Sequence, residues 1–161
     1  MTLRRHLRAT ALAVAGLIAL AACSTGDQTA APTATGSSSA ASFPVTLDHA
    51  FGSTTISAAP TRVVTWGWGS TEAALALGVV PVAIQAQSYG ADADGVMPWV
   101  AEELTTLGAA TPTLLTNGDA PPYEEIVAAK PDVILAPYSG ITAEQYDLLS
   151  QIAPTVAYTG E

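Results

Sequence analysis

Basic side chains are scarce in this sequence: five lysines and arginines stand against fourteen acidic residues, and Arg4, Arg5 and Arg8 fall within the first eight positions. Residues 23–161 keep two basic groups against fourteen acidic ones, a net charge of −12. Nucleic acid is held by Lys and Arg neutralising phosphates, so partners of that class are excluded. Cysteine is scarcer still. With Cys23 alone, neither an intramolecular disulfide nor a cysteine-built metal site can form. The two histidines are His6 and His49, which leaves few ways to assemble a nucleophile with its base. Gly67-Trp68-Gly69-Ser70 lacks the G-x-S-x-G elbow spacing. No glycine-rich loop ends in Lys-Ser or Lys-Thr. The acid pairs Glu102-Glu103 and Glu124-Glu125 are neighbours on helical segments, and such neighbours point in different directions. No enzyme, no resident cofactor and no directly ligated metal are expected.

Long apolar runs are missing too, apart from Ala9 to Ala22 (ATALAVAGLIALAA). That run follows the three arginines and falls short of the roughly 20 residues a spanning helix needs, so it reads as a signal peptide. Its end, Leu20-Ala21-Ala22-Cys23, resembles a bacterial lipobox, with Cys23 as the lipidated residue of the mature chain. Ser24 to Ser42 (STGDQTAAPTATGSSSAAS) has no large apolar residue and reads as a flexible tether. The expected organisation is signal peptide 1–22, lipidated cysteine and tether 23–42, and an ordered domain over 43–161. The expected location is the outer face of the cytoplasmic membrane, held by acyl chains.

From Phe43 onward the polarity pattern becomes regular. Residues 44–49 and 53–57 alternate around Ala50-Phe51-Gly52 and predict a β-hairpin. Arg62 to Trp66 reads as a buried strand, and Ser70 or Thr71 as the cap of a helix that stops at Gly78. Val79 to Gln85 reads as a second strand. Further helices are expected near Pro98–Thr106, Tyr123–Ala129 and Thr142–Ile152. Strands are expected near Thr113–Leu115, Asp132–Ala136 and Thr155–Tyr158. Short apolar strands alternating with helices imply βαβ units: an α/β lobe of three layers with a parallel sheet and an N-terminal hairpin.

In such sheets ligands bind outside the carboxyl ends of the strands. That rule selects three loops, at Trp66–Ser70, Gln85–Tyr89 and Pro137–Gly140. Their candidate ligand-binding residues are Trp66, Trp68, Ser70, Gln85, Gln87, Tyr89, Tyr138 and Ser139. Aromatic faces with a few placed polar groups describe a site for a bulky organic ligand. Trp66 ends its strand and suits core packing equally well. Trp99 belongs to a helix whose place relative to these loops the sequence does not fix.

Pro60-Thr61-Arg62-Val63-Val64, Leu77-Gly78-Val79-Val80-Pro81-Val82, Tyr123 to Leu135 (YEEIVAAKPDVIL) and Ile152-Ala153-Pro154-Thr155 follow one another in an order that resembles a known family. They are similar to the amino-terminal lobe of the iron-siderophore and cobalamin substrate-binding proteins of bacterial ABC importers, and within these to actinobacterial ferric-siderophore lipoproteins. The resemblance implies a two-lobed protein that holds its ligand in the cleft between the lobes. It also implies a monomer that delivers a ferric siderophore to an ABC permease, with Glu124 in the position of the acidic residue that docks on permease arginines. Since the chain stops at Glu161 after a strand, a truncated reading frame or fragment is expected. Arg62 and Lys130 should both lie at the amino ends of the strands, away from the cleft, which favours a ferric hydroxamate over a triply anionic catecholate. A cobalamin or haem carrier of the same fold stays open, haem through Tyr89 or Tyr138. So do an α/β hydrolase-like enzyme and a truncated lipoprotein that binds nothing.

Overall fold

In the computed structural model, which describes residues 42–160, a hairpin precedes a regular alternation of strands and helices. β1 (Val45–His49) pairs antiparallel with β2 (Gly52–Ile56), from Val45 opposite Ile56 to His49 opposite Gly52. The remaining elements are β3 (Val63–Thr65), α1 (Ser70–Ala76), β4 (Ala83–Gln85), α2 (Pro98–Thr106), β5 (Thr113–Leu115), α3 (Tyr123–Ala129), β6 (Val133–Leu135), α4 (Ala143–Ser150) and β7 (Thr155–Val156).

The five strands β3 to β7 form one parallel sheet in the order β5-β4-β3-β6-β7. Side chains alternate across a strand, and here the alternation divides the core in two. Val64, Trp66, Ala83, Leu115 and Ile134 pack with Ile126 of α3 and Leu149 of α4. Ile84 belongs to the opposite face and packs with Leu75 of α1 and Val100 and Leu104 of α2. Helices therefore cover both faces, which a sheet of apolar parallel strands requires. The expected three-layer α/β lobe is the one formed. Leu115, Ile126, Ile134 and Leu149 are fully enclosed, and each contributes about 1.5–3 kcal/mol by leaving water.

The hairpin is fastened to the far edge of the sheet. Ile56 clusters with Val63 and Val133, and the Thr54 hydroxyl donates to the Thr155 carbonyl at 2.6 Å. Thr54 in turn accepts from Nε2 of the buried His49 at 2.9 Å, while His49 Nδ1 accepts the Phe51 N–H at 3.2 Å. The histidine is thus a satisfied structural side chain.

Several boundaries differ from the sequence reading, each for a backbone reason. The second parallel strand begins at Ala83 and not at Val79. The Val79 N–H is taken by the Ala74 carbonyl at the end of α1, and Pro81 has no N–H to give a ladder. Neither Ser70 nor Thr71 caps α1. Gly69 holds that position at φ 69° with no side-chain bond. The Ser70 hydroxyl donates back to the Trp66 carbonyl, and Thr71 bonds Thr65. Thr142 does cap α4, in a reciprocal capping box with Gln145. The last strand ends at Val156, and the Tyr158 carbonyl turns to accept the Ala50 N–H of the hairpin.

At the amino edge of the sheet the Asp132 carboxylate accepts the N–H groups of Thr61 and Arg62 and the Thr61 hydroxyl, at 2.7 to 2.9 Å. Burial alone would raise its pKa, but these donors outweigh burial and hold the carboxyl below its ordinary value. Among the described residues no helix is long and apolar enough to cross a membrane. The proposed signal peptide, Cys23 and nearly all of the tether lie outside the described residues.

Candidate functional site

The chain lays down β3, moves outward to β4 and β5, then returns to the other side of β3 for β6 and β7. The connections leaving β3 and β6 therefore depart in opposite directions. Such a switch point, at the carboxyl ends of the two strands, is the place where open α/β sheets hold ligands.

Two turns meet there. The Trp66 N–H donates to the Leu135 carbonyl at 2.9 Å, and the Trp68 N–H donates to the Tyr138 carbonyl at 3.1 Å. Between them Gly67 takes φ 101°, and a Cβ on it would stand 2.6 Å from the Tyr138 oxygen and 2.7 Å from the Ser139 Cα. Glycine is required here both by conformation and by space. The close approach of the two backbones turns their aromatic side chains outward. Trp68 is 48% exposed and Tyr138 74% exposed.

The structure separates the expected ligand-binding residues into three groups. Trp66, at 3% exposure, is a core residue packed toward α3 and α4, and Ser70, at 2%, is buried with its hydroxyl on the Trp66 carbonyl. Neither presents a side chain to a ligand, because strand alternation and the first turn of α1 direct both inward. Gln85, Gln87 and Ser139 are half-buried and serve the loops themselves. Gln85 Oε1 accepts the Gly67 N–H at 2.8 Å, Gln87 Nε2 donates to the Gln85 carbonyl at 3.3 Å, and the Ser139 hydroxyl donates to the Ala136 carbonyl at 2.8 Å. Trp68, Tyr89 and Tyr138 remain, exposed on the loops that follow β3, β4 and β6, with Tyr89 at 78%.

The loop after β5 contributes as well, which the sequence reading missed. Asn117 Oδ1 accepts from Gln85 Nε2 at 2.8 Å, and Asn117 Nδ2 donates to the Ser88 hydroxyl oxygen at 3.2 Å. Asn117 stands two residues beyond a predicted strand, so the same carboxyl-edge rule would have selected it. Trp99 lies near this edge too. Its indole N–H donates to Glu72 Oε1, in the first turn of α1, at 3.1 Å. A groove of about 190 Å³ runs between α1 and α2, lined by Glu72, Leu75, Ala76, Trp99, Val100 and Glu103.

The electrostatics of the edge follow from where the cations sit. Arg62 and Lys130 are the basic residues among those described. Arg62 reaches the carbonyls of Lys130 and Ala129 at 2.8 and 2.6 Å, at the C-terminus of α3 and the amino edge of the sheet. The carboxyl edge therefore holds no cation among the described residues. It does hold the start of α3. Glu125 accepts the Thr116 hydroxyl at 2.7 Å and the Thr116 N–H at 2.8 Å, and these bonds hold its carboxyl below the ordinary glutamate value. Glu124, its neighbour, is exposed. Among the described residues no group of three or more His, Cys, Asp or Glu side chains is placed to hold a metal.

Residues 63–160 match the family model described as "Periplasmic binding protein". The chain is similar to the crystal structure of PiaA from Streptococcus pneumoniae in complex with ferrichrome, at 49% identity and a TM-score of 0.68, covering 72% of this chain and 38% of that one. It is similar to a periplasmic solute-binding protein from Mycobacterium smegmatis, at 45% identity and a TM-score of 0.64, covering 73% of this chain and 40% of that one. It is also similar to SirA from Staphylococcus aureus complexed with staphyloferrin B, at 34% identity and a TM-score of 0.57, covering 72% and 37%. The chain thus spans about two fifths of the length of these proteins, which bind solutes and are not enzymes. With its parallel sheet, its switch point between β3 and β6 and its match over residues 63–160, the chain belongs to the periplasmic binding protein family, of which it forms one α/β lobe.

Proposed function

We propose that the chain is the amino-terminal lobe of an extracytoplasmic lipoprotein that captures a ferric siderophore and hands it to an ABC permease. The observation that carries this reading is the exposure of Trp68, Tyr89 and Tyr138 on three loops at one sheet edge. Large aromatic side chains are normally withdrawn from water, and grouped at a ligand-binding edge they offer flat faces to a bulky organic chelate. The ferrichrome complex of PiaA, 49% identical to this chain, supports the ligand class.

The ligand is a ferric hydroxamate in preference to a catecholate. Arg62 is bonded at the opposite edge and Lys130 stands there at the C-cap of α3, so the described residues offer no positive charge to a trianion at the carboxyl edge, whereas a neutral trihydroxamate needs none. Trp68, Tyr89 and Tyr138 contact the chelate, while Gln85, Gln87 and Ser139 shape the loops. Glu124 docks on permease arginines. Cys23 carries the acyl anchor, residues 24–42 form the tether, and the protein works as a monomer at the outer face of the membrane.

Titration of tryptophan emission with a ferric trihydroxamate and a ferric tris-catecholate tests the reading. Saturable quenching with tighter binding of the hydroxamate is expected, and Trp68→Ala should weaken it by about tenfold or more. Absence of saturation by either chelate overturns the reading. Tighter catecholate binding overturns the ligand preference.

A further inference from the structure

The hydrogen bonds that join the loops after β3, β4 and β5 form a chain with a direction. A backbone N–H can only donate, so the Gly67 N–H, 2.8 Å from the Gln85 amide, requires the oxygen of that amide to face it. The Gln85 nitrogen must then face away, where it meets the Asn117 oxygen at 2.8 Å. That leaves the Asn117 nitrogen toward Ser88, at 3.2 Å from its hydroxyl oxygen. The Ser88 oxygen is consequently an acceptor toward the protein. Its own proton is left for an acceptor outside.

We infer that Ser88 is a ligand-facing hydrogen-bond donor whose polarity is set by the relay from Gly67 through Gln85 and Asn117. The inference rests on the proposed binding role of this edge and deepens it. Ser88 is exposed and adjoins Tyr89, which is 78% exposed, so the donor lies beside one of the aromatic faces. It selects for ligands that present acceptor oxygens, such as the carbonyl and hydroxamate oxygens of a ferric chelate. Gln85 and Asn117 act through Ser88 and are positioning residues.

Gln85→Glu reverses the relay without removing its first bond. A glutamate oxygen still accepts from Gly67, but the carboxylate has no proton for Asn117. The Asn117 amide then turns its nitrogen to Glu and its oxygen to Ser88, whose hydroxyl must donate inward. Outward, Ser88 would offer only lone pairs.

Two measurements on the intact chain test this. Without ligand, nuclear Overhauser contacts should place the Asn117 side-chain amide protons beside the Ser88 methylene in the wild type and beside residue 85 in Gln85→Glu. Amide protons already beside Gln85 in the wild type would overturn the relay. With ferric trihydroxamate as the probe, Ser88→Ala and Gln85→Glu should each weaken binding by about 3–10-fold. Ser88→Thr, which keeps the hydroxyl, should restore it. In a double-mutant cycle Gln85→Glu should add little once Ser88 is alanine. Wild-type affinity in Ser88→Ala, or losses that add in full, would overturn the donor role. A wild-type chain that fails to bind the probe would overturn the function and the donor role with it, while the direction of the relay is decided by the amide contacts alone.

Discussion

The backbone N–H of Trp68 donates to the carbonyl of Tyr138 at 3.1 Å, and this bond joins the turn after β3 to the turn after β6 across the switch point of the sheet. The turns that carry two of the exposed aromatic residues are therefore tied to each other by main chain. That arrangement requires glycine at 67. Gly67→Ala should destabilise the chain by about 2–4 kcal/mol in urea unfolding, since it adds backbone strain to a Cβ 2.6 Å from the Tyr138 oxygen. Gly69→Ala has open space around the new Cβ and should cost only about 1 kcal/mol for its left-handed backbone.

The two tryptophans that bracket this glycine should behave oppositely. Trp66→Ala removes a core side chain and should cost about 3–5 kcal/mol of stability. Trp68→Ala, at a half-exposed position, should change stability by about 0.5 kcal/mol or less and show its effect in chelate binding. Acrylamide should quench emission strongly in a Trp66→Phe variant and weakly in a Trp68→Phe, Trp99→Phe variant, where Trp66 alone remains.

Glu124 and Glu125 form a similar pair. Glu125 is bound twice to Thr116, so Glu125→Ala should lower the thermal unfolding midpoint. Glu124→Ala should leave that midpoint and chelate affinity unchanged while weakening association with permease-bearing vesicles by about threefold or more. Unchanged association would remove Glu124 from the docking surface.

Acid should loosen the amino edge through Asp132. Its carboxyl is held below its ordinary value in the fold, so the unfolded chain binds the proton more readily. The stabilisation is complete above the unfolded value, about 3.9, and is lost as pH falls through the lower folded value. Asp132→Asn should lose stability at neutral pH, by about 1–2 kcal/mol, and show a shallower decline in stability below about pH 4 than the wild type. Parallel acid limbs for the two proteins would contradict the assignment.

Much of the fold could be read in the residues because the strands and helices announce themselves chemically. Val133-Ile134-Leu135 is apolar on both faces, as a covered parallel strand must be. Thr142 opens the helix expected over 142–152 and caps it. What the sequence concealed depends on contacts between distant segments. Trp66 and Trp68 are separated by one glycine; Trp66 follows the strand inward to the core, while the turn that leaves Trp68 half exposed is set against Tyr138 and Ser139, about seventy residues away. Ser70 looked like a cap and a ligand contact because both roles suit a serine after a strand. Its neighbour Gly69 took the cap conformation instead. The place of Asn117, two residues beyond β5, was within reach of the carboxyl-edge rule, but its bonds to Gln85 and Ser88, about thirty residues away in sequence, were not.

The claim that the carboxyl edge of this lobe takes a ferric chelate is tested most directly by amide chemical shifts of the ¹⁵N-labelled chain during titration with gallium trihydroxamate, a diamagnetic stand-in for the ferric complex. The expected result is saturable shifts concentrated at the Trp68 indole and backbone, Ser88, Tyr89, Asn117 and Tyr138, with Arg62 and Lys130 unmoved. Shifts confined to the amino edge or to the groove between α1 and α2, or none at millimolar chelate, would contradict it.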